Sequence, residues 1–158
     1  MELPKLGTFY RTAFTLEAWV RPDADESWND TGIVGTWDGA SGGGPMLWHY
    51  DNRYRLTLSR GFDNYLTAST GIAAGSWQHI AATYDGTTAR LYLDGVQIAS
   101  RTFTGDVGNS DIWRIGAYGS SPYGAPRGLI DDVRIYSRTL SADEVRSDEE
   151  LGVAAPPA

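Results

Sequence analysis

The chain predicts an all-β fold: a two-sheet antiparallel jelly-roll sandwich closed by one short C-terminal helix. Three observations carry this. First, many short runs alternate apolar and polar residues with period two, separated by Gly-rich turns. Second, Trp77 to Tyr84 and Ala89 to Leu93 alternate on either side of Asp85-Gly86, and the second run ends at Asp94-Gly95, the strongest short-range hairpin signal. Third, only one segment carries a helix start signal, Ser141-Ala-Asp-Glu144, with the form of a capping box. Ten or so short strands are too many for one open twisted sheet, and two packed layers bury one face of each.

In order, Phe14, Leu16, Ala18 and Val20 share a strand face, and Arg21-Pro22 ends that strand because proline lacks a ladder donor. Asp23 to Asp30 is an acidic loop. Gly32 to Trp37 reads as a short strand, and Asp38 to Gly44 as a Gly-rich loop. Met46 to Tyr50 and Tyr54 to Ser59 form a hairpin around Asp51-Asn52-Arg53. Tyr65 to Ser69 is a further strand. After it, Trp77, His79, Ala81 and Thr83 face one way, and Gln78, Ile80, Ala82 and Tyr84 the other. Ala89, Leu91 and Leu93 then share a face, with Arg90, Tyr92 and Asp94 opposite. Val96 to Phe103 and Ile112 to Tyr118 are strands, and Ser120 to Gly128 is a Gly/Pro-rich loop. Leu129 to Tyr136 is the last long strand, with Leu129, Asp131, Val133 and Ile135 on one face. The helix runs through Val145 to about Glu150. Residues 1–152 make one domain, and 153–158 are an Ala/Pro-rich tail or linker.

Composition excludes several classes. The 158 residues carry a net charge of -7, and the 13 basic residues are scattered, which disfavours nucleic acid and anionic membrane surfaces. No apolar run approaches the ~20 residues that span a bilayer, so membrane insertion is not expected. MELPKLGTFY has no secretory-signal pattern. Cysteine is absent, which removes disulfides, thiolate metal sites and thiol nucleophiles.

Four segments resemble, in order, the laminin-G-like jelly-roll domains of the concanavalin A-like lectin/glucanase superfamily. They are Phe14-Thr-Leu-Glu-Ala-Trp-Val-Arg-Pro22, Trp77-Gln-His-Ile-Ala-Ala-Thr-Tyr-Asp-Gly86, Leu91-Tyr-Leu-Asp-Gly95, and Gly128 through Ser141. The resemblance implies a noncatalytic module of a secreted or cell-surface protein that binds carbohydrate or a protein partner, often with structural calcium. One departure concerns the strand that family members carry before the opening motif. Only Met1 to Ala13 precede it here, so that strand is short or supplied by neighbouring sequence.

Glucanases of this broader fold place alternating carboxylates on one strand face, where an acid and a nucleophile flank a glycosidic bond. No such strand occurs, so no catalytic residue is assigned, and the chain is not expected to be an enzyme. For metal, Asp131 is the candidate calcium ligand, because a carboxylate among Leu129, Val133 and Ile135 is partly buried and needs a cation or several donors. The alternative is hydrogen bonding to neighbouring N–H groups, or to Arg134 or Arg114. For carbohydrate, aromatic rings take apolar C–H faces and polar side chains take hydroxyls. Two clusters offer both: Trp48, Tyr50, Asp51, Asn52 and Tyr54; and Tyr118, Tyr123 and Arg127. Trp28 and Trp37 lie beside loops and can join either, whereas Trp19, Trp77 and Trp113 sit in strands and read as core. The leading expectation is a noncatalytic carbohydrate-binding module; the alternative is a structural or adhesive protein-binding spacer without sugar affinity.

Overall fold

The computed structural model describes residues 1–23, 31–36, 43–59, 64–117 and 127–152. Its strands are β1 (Phe14–Pro22), β2 (Thr31–Gly35), β3 (Met46–Tyr50), β4 (Arg53–Thr57), β5 (Tyr65–Thr67), β6 (Gln78–Tyr84), β7 (Thr88–Leu93), β8 (Val96–Thr102), β9 (Arg114–Ile115) and β10 (Gly128–Tyr136), followed by helix α1 (Ala142–Leu151). They form two antiparallel five-stranded sheets, ordered β10-β1-β6-β7-β8 and β5-β4-β3-β2-β9. The chain crosses between sheets after β1, β5, β8 and β9, as expected of a jelly roll.

Alternation does the folding. Phe14, Leu16 and Ala18 of β1 pair with Tyr84, Ala82 and Ile80 of β6, and all six are buried against Leu47, Tyr54, Leu56, Leu58 and Leu66 of the opposite sheet. The outer face of the first sheet is also covered. Helix α1 packs there, and Ala81, Tyr92, Leu140 and Val145 form a second apolar cluster. This explains why β6 is buried at every position, although its residues alternate between two faces. The capping box starts the helix as the sequence predicts: Ser141 Oγ accepts from the Glu144 N–H at 3.2 Å, and the Ser141 N–H donates to Glu144 Oε2 at 2.8 Å.

Four features differ from expectation or sharpen it. Residues 1–3 run antiparallel to β9 as a short strip, with the Ile115 N–H donating to the Met1 carbonyl and the Leu3 N–H to the Trp113 carbonyl, both at 2.8 Å. Within the strand expected over Ile112 to Tyr118, the described residues 112–117 are regular only at Arg114–Ile115. The Trp113 side chain fills the core, stacked on Phe9 with ring centroids 5.4 Å apart. Trp19, read as core, instead lies half-buried on the outer face of the first sheet, 5.5 Å from the His79 ring. Gly152 at the end of α1 lies against its indole, where a Cβ would collide.

The fourth is a β-bulge in β10. Glu17 pairs with Arg134 but Trp19 with Asp131, so one extra residue enters β10 between them. Asp132 takes φ 47° there. The bulge reverses the alternation, so Ile130 before it and Val133 and Ile135 after it all pack on the core. Leu129 and Asp131 are exposed. The expected single face of Leu129, Asp131, Val133 and Ile135, with Asp131 partly buried, is therefore corrected: strict period two fails across an inserted residue.

Candidate functional site

The β3–β4 hairpin builds an aromatic patch on the outer face of the second sheet. Asp51 and Asn52 both have left-handed φ values, 51° and 58°, which gives a two-residue turn suited to the twist of a hairpin. That turn sets the register, with Trp48 opposite Arg55 and Tyr50 opposite Arg53. Leu47, Tyr54 and Leu56 point into the core, so Trp48, Tyr50, Arg53 and Arg55 point out. On the other side of β4, Thr57 pairs with Tyr65, which brings Tyr65 diagonally beside Arg55.

Arg55 is the centre of the patch. Its guanidinium lies 4.6 Å from the Tyr50 ring centroid, 4.9 Å from Tyr65 and 5.7 Å from Trp48, within cation–π range of all three. Tyr50 and Tyr65 are 40% and 36% exposed, while Trp48 is 8% exposed and forms the floor. The Arg55 Nε is buried without a hydrogen-bond partner. Nearby, Arg53 donates to the Ala68 and Ser69 carbonyls and Arg101 to the Tyr65 carbonyl. An acidic protein thus places Arg53 and Arg55 on one aromatic surface, and Arg101 reaches its edge from β8 of the other sheet.

The structure divides the residues expected to bind ligand. Trp48 and Tyr50 come together in the patch, with Asp51 and Asn52 exposed at its hairpin tip. Tyr54 does not join them. It is fully buried, its hydroxyl donating to Gln78 Oε1 at 3.1 Å, because it occupies an inward position of β4. Arg127 is exposed at the head of β10 and lines a crevice between the sheets with Thr31, His49, Tyr54 and Ile130. Tyr118, Tyr123, Trp28, Trp37, most of the acidic loop and the 153–158 tail lie outside the described residues. Arg55 and Tyr65 were missed. Arg55 follows from the hairpin register, since a two-residue turn makes it face Trp48. Tyr65 depends on the pairing of β5 across a longer connection, which no local pattern sets.

Asp131 stands on the surface, its Oδ1 accepting from the Asp132 N–H at 2.8 Å. Among the described residues no three acidic or imidazole groups gather in an arrangement able to hold a metal ion.

A different ionisable cluster lies beneath α1. Glu17 is fully buried, with His79 Nε2 at 3.9 Å and Arg134 Nη1 at 4.0 Å. Both Glu17 carboxylate oxygens lack a hydrogen-bond partner. Arg134 also reaches Asp132 at 2.6 Å and Asp148 at 3.7 Å, and Tyr136 donates to Asp148 at 2.6 Å. Burial and then the charge of Asp148 push the Glu17 pKa from 4.5 up to about 8. Burial pulls His79 down from 6.5 to about 4. A protonated acid and a neutral imidazole are the forms that low polarity favours. With α1 lying over them, these groups serve the docking of the helix.

The fold and its ordered strands define a laminin-G-like jelly roll. A laminin-G family model, described as the concanavalin A-like lectin/glucanases superfamily, matches residues 1–146, and the chain belongs to that family. It is 32% identical to mouse pappalysin-1 over an aligned stretch of 115 positions that covers 63% of this chain and 7% of pappalysin-1. The chain therefore spans a small part of that curated relative. Among solved structures it is similar to domain 4 of an extracellular arabinanase from Geobacillus stearothermophilus, in complex with arabinotriose (TM-score 0.68, 23% identity, covering 92% of this chain and 70% of that one). It is also similar to a SAP-like pentraxin from Limulus polyphemus (TM-score 0.73, 15% identity, 99% and 76%). These likenesses show the fold. Among the described residues no helix is long and apolar enough to cross a membrane.

Proposed function

We propose that this chain is a noncatalytic carbohydrate-recognition module of a larger secreted or cell-surface protein. Its binding surface is the patch of Tyr50 and Tyr65 around Arg55, with Trp48 as the floor. The observation that carries this is the pair of exposed tyrosine rings flanking an arginine whose Nε has no internal partner. Rings at that exposure offer apolar faces to sugar C–H groups, and the guanidinium offers N–H donors to hydroxyls. The arabinanase domain solved with arabinotriose supports the reading, since it shows a domain of this fold with a bound oligosaccharide. A glycan array probed with the folded domain tests it. Binding to a defined set of glycans is expected, and Tyr50→Ala or Tyr65→Ala should weaken it roughly 5- to 20-fold, the worth of one ring contact. Their melting temperatures should stay near that of the parent chain, because both rings stand on the surface. Silence across the array from a folded domain would overturn the proposal in favour of a protein-binding spacer.

A further inference from the structure

The centre of the patch carries more information than its rings. An arginine side chain has five N–H donors arranged in a planar fork. In Arg55, aromatic rings lie over the fork, and none of its donors makes a hydrogen bond or ion pair among the described residues. The ring contacts hold the side chain in place without using its in-plane donors. Arg53 beside it and Arg101, which reaches the patch edge from β8, spend theirs differently. Arg53 Nη1 is committed to the carbonyls of Ala68 and Ser69, at 3.0 and 2.8 Å. Arg101 Nη1 reaches the Tyr65 carbonyl at 2.9 Å. Both add positive charge, and Arg101 also ties down the backbone of a patch tyrosine. The nearest acid in sequence, Asp51 at the hairpin tip, makes no ion pair with any of them. In a chain with net charge -7, the positive charge of Arg55 is local and directional.

Neutral hydroxyls would use such a fork poorly. A carboxylate accepts two parallel N–H bonds from it, and the guanidinium is weakly hydrated, so little is lost in exchanging water for the acid. Resting on the sugar-binding reading of the same surface, we infer that the favoured ligand is an acidic saccharide, one whose sugar ring packs on Tyr50 or Tyr65 while its carboxylate bridges to Arg55. The carboxylate can belong to a uronic acid or to a sialic acid, since the chemistry read by the fork is the same.

Titration calorimetry with two acid–ester pairs separates the possibilities: tetragalacturonate and its carboxyl-methyl ester, and sialyllactose and its carboxyl-methyl ester. At least one acid should bind tenfold or more tightly than its own ester, and the pair that shows this preference names the source. Raising the salt from 50 to 500 mM should weaken the acid and leave the ester nearly unchanged. Arg55→Gln should abolish the preference without lowering the melting temperature, and Arg55→Lys should restore only part of it, because an ammonium cannot pair as a fork. Equal binding of acid and ester overturns the inference and leaves the carbohydrate reading intact. Binding of neither acid overturns it as well; the neutral glycans of the array then decide the carbohydrate reading separately.

Discussion

Glu17 shows how a single buried group sets a pH dependence. Its folded pKa of about 8 lies above the ordinary 4.5, so between those values the folded chain holds a proton that the unfolded chain has released. Stability then falls as pH rises through that window and levels off above it. His49 and His79 act in the opposite sense. Burial takes both from 6.5 to about 4, so their contribution is lost as pH falls between those values. From pH 6.5 to 8, of these three groups only Glu17 changes charge in the folded chain, and the melting temperature should decline by a few degrees, most clearly above pH 7.5 where the unfolded imidazoles are neutral as well. Glu17→Gln, which mimics the protonated acid, should flatten that decline and raise the melting temperature at pH 8; an unchanged slope would show that Glu17 is not its source. Tyr54 makes a second residue-scale case. Tyr54→Phe removes a buried hydroxyl bonded to Gln78 and should cost about 1 kcal/mol in denaturant unfolding while leaving glycan affinity unchanged. The contrast with Tyr50 was half legible. Alternation says that Tyr50 and Tyr54 lie on facing strands, but the turn length decides which faces the core. Once that turn is Asp51-Asn52, Tyr54 pairs with His49 and must point inward.

At the scale of elements, local signals that are self-contained were legible and those that depend on partners were not. Ser141 and Glu144 carry the helix start within four residues, and the helix forms where they place it. The Asp94-Gly95 turn likewise holds φ values of 47° and 72°, as that dipeptide predicts. Asp85 is more elaborate than a tight turn. Its carboxylate accepts from the Thr87 and Thr88 N–H groups and from Arg90, and those bonds hold its pKa below the usual carboxylate range. The bulge at Asp132 left no comparable trace, because it exists only relative to the register of β1. That one insertion places Asp131 on the surface. The helix offers the element's own test. Ser141→Ala removes one side of the capping box and should cost about 1 kcal/mol. Amide exchange of α1 should accelerate roughly fivefold, with exchange in β1 and β6 much less affected; an unchanged α1 would mean that the docking through Arg134 and Tyr136, and not the cap, holds the helix.

The whole molecule assigns different work to its two outer faces. The first sheet is covered by α1 and carries the Glu17, His79 and Arg134 cluster, so its outer face is an interior built for stability. The second sheet carries Trp48, Tyr50, Arg55 and Tyr65, and two of those rings are exposed. Between them lie both sheets and the shared core, with packed sheets separated by about 10 Å. Groups at that separation with no common partner contribute additively. Glu17→Gln should therefore alter the pH dependence of melting and change glycan affinity by less than twofold. Tyr50→Ala should do the reverse. In the double variant the two effects should add to within about 0.5 kcal/mol, both in unfolding free energy and in binding. Coupling above about 1 kcal/mol would mean that a substitution on one face reshapes the other, as a core packed without slack can transmit. Additivity would instead mark the helix-covered face as a foundation, leaving the aromatic face free to change its ligand without a loss of stability.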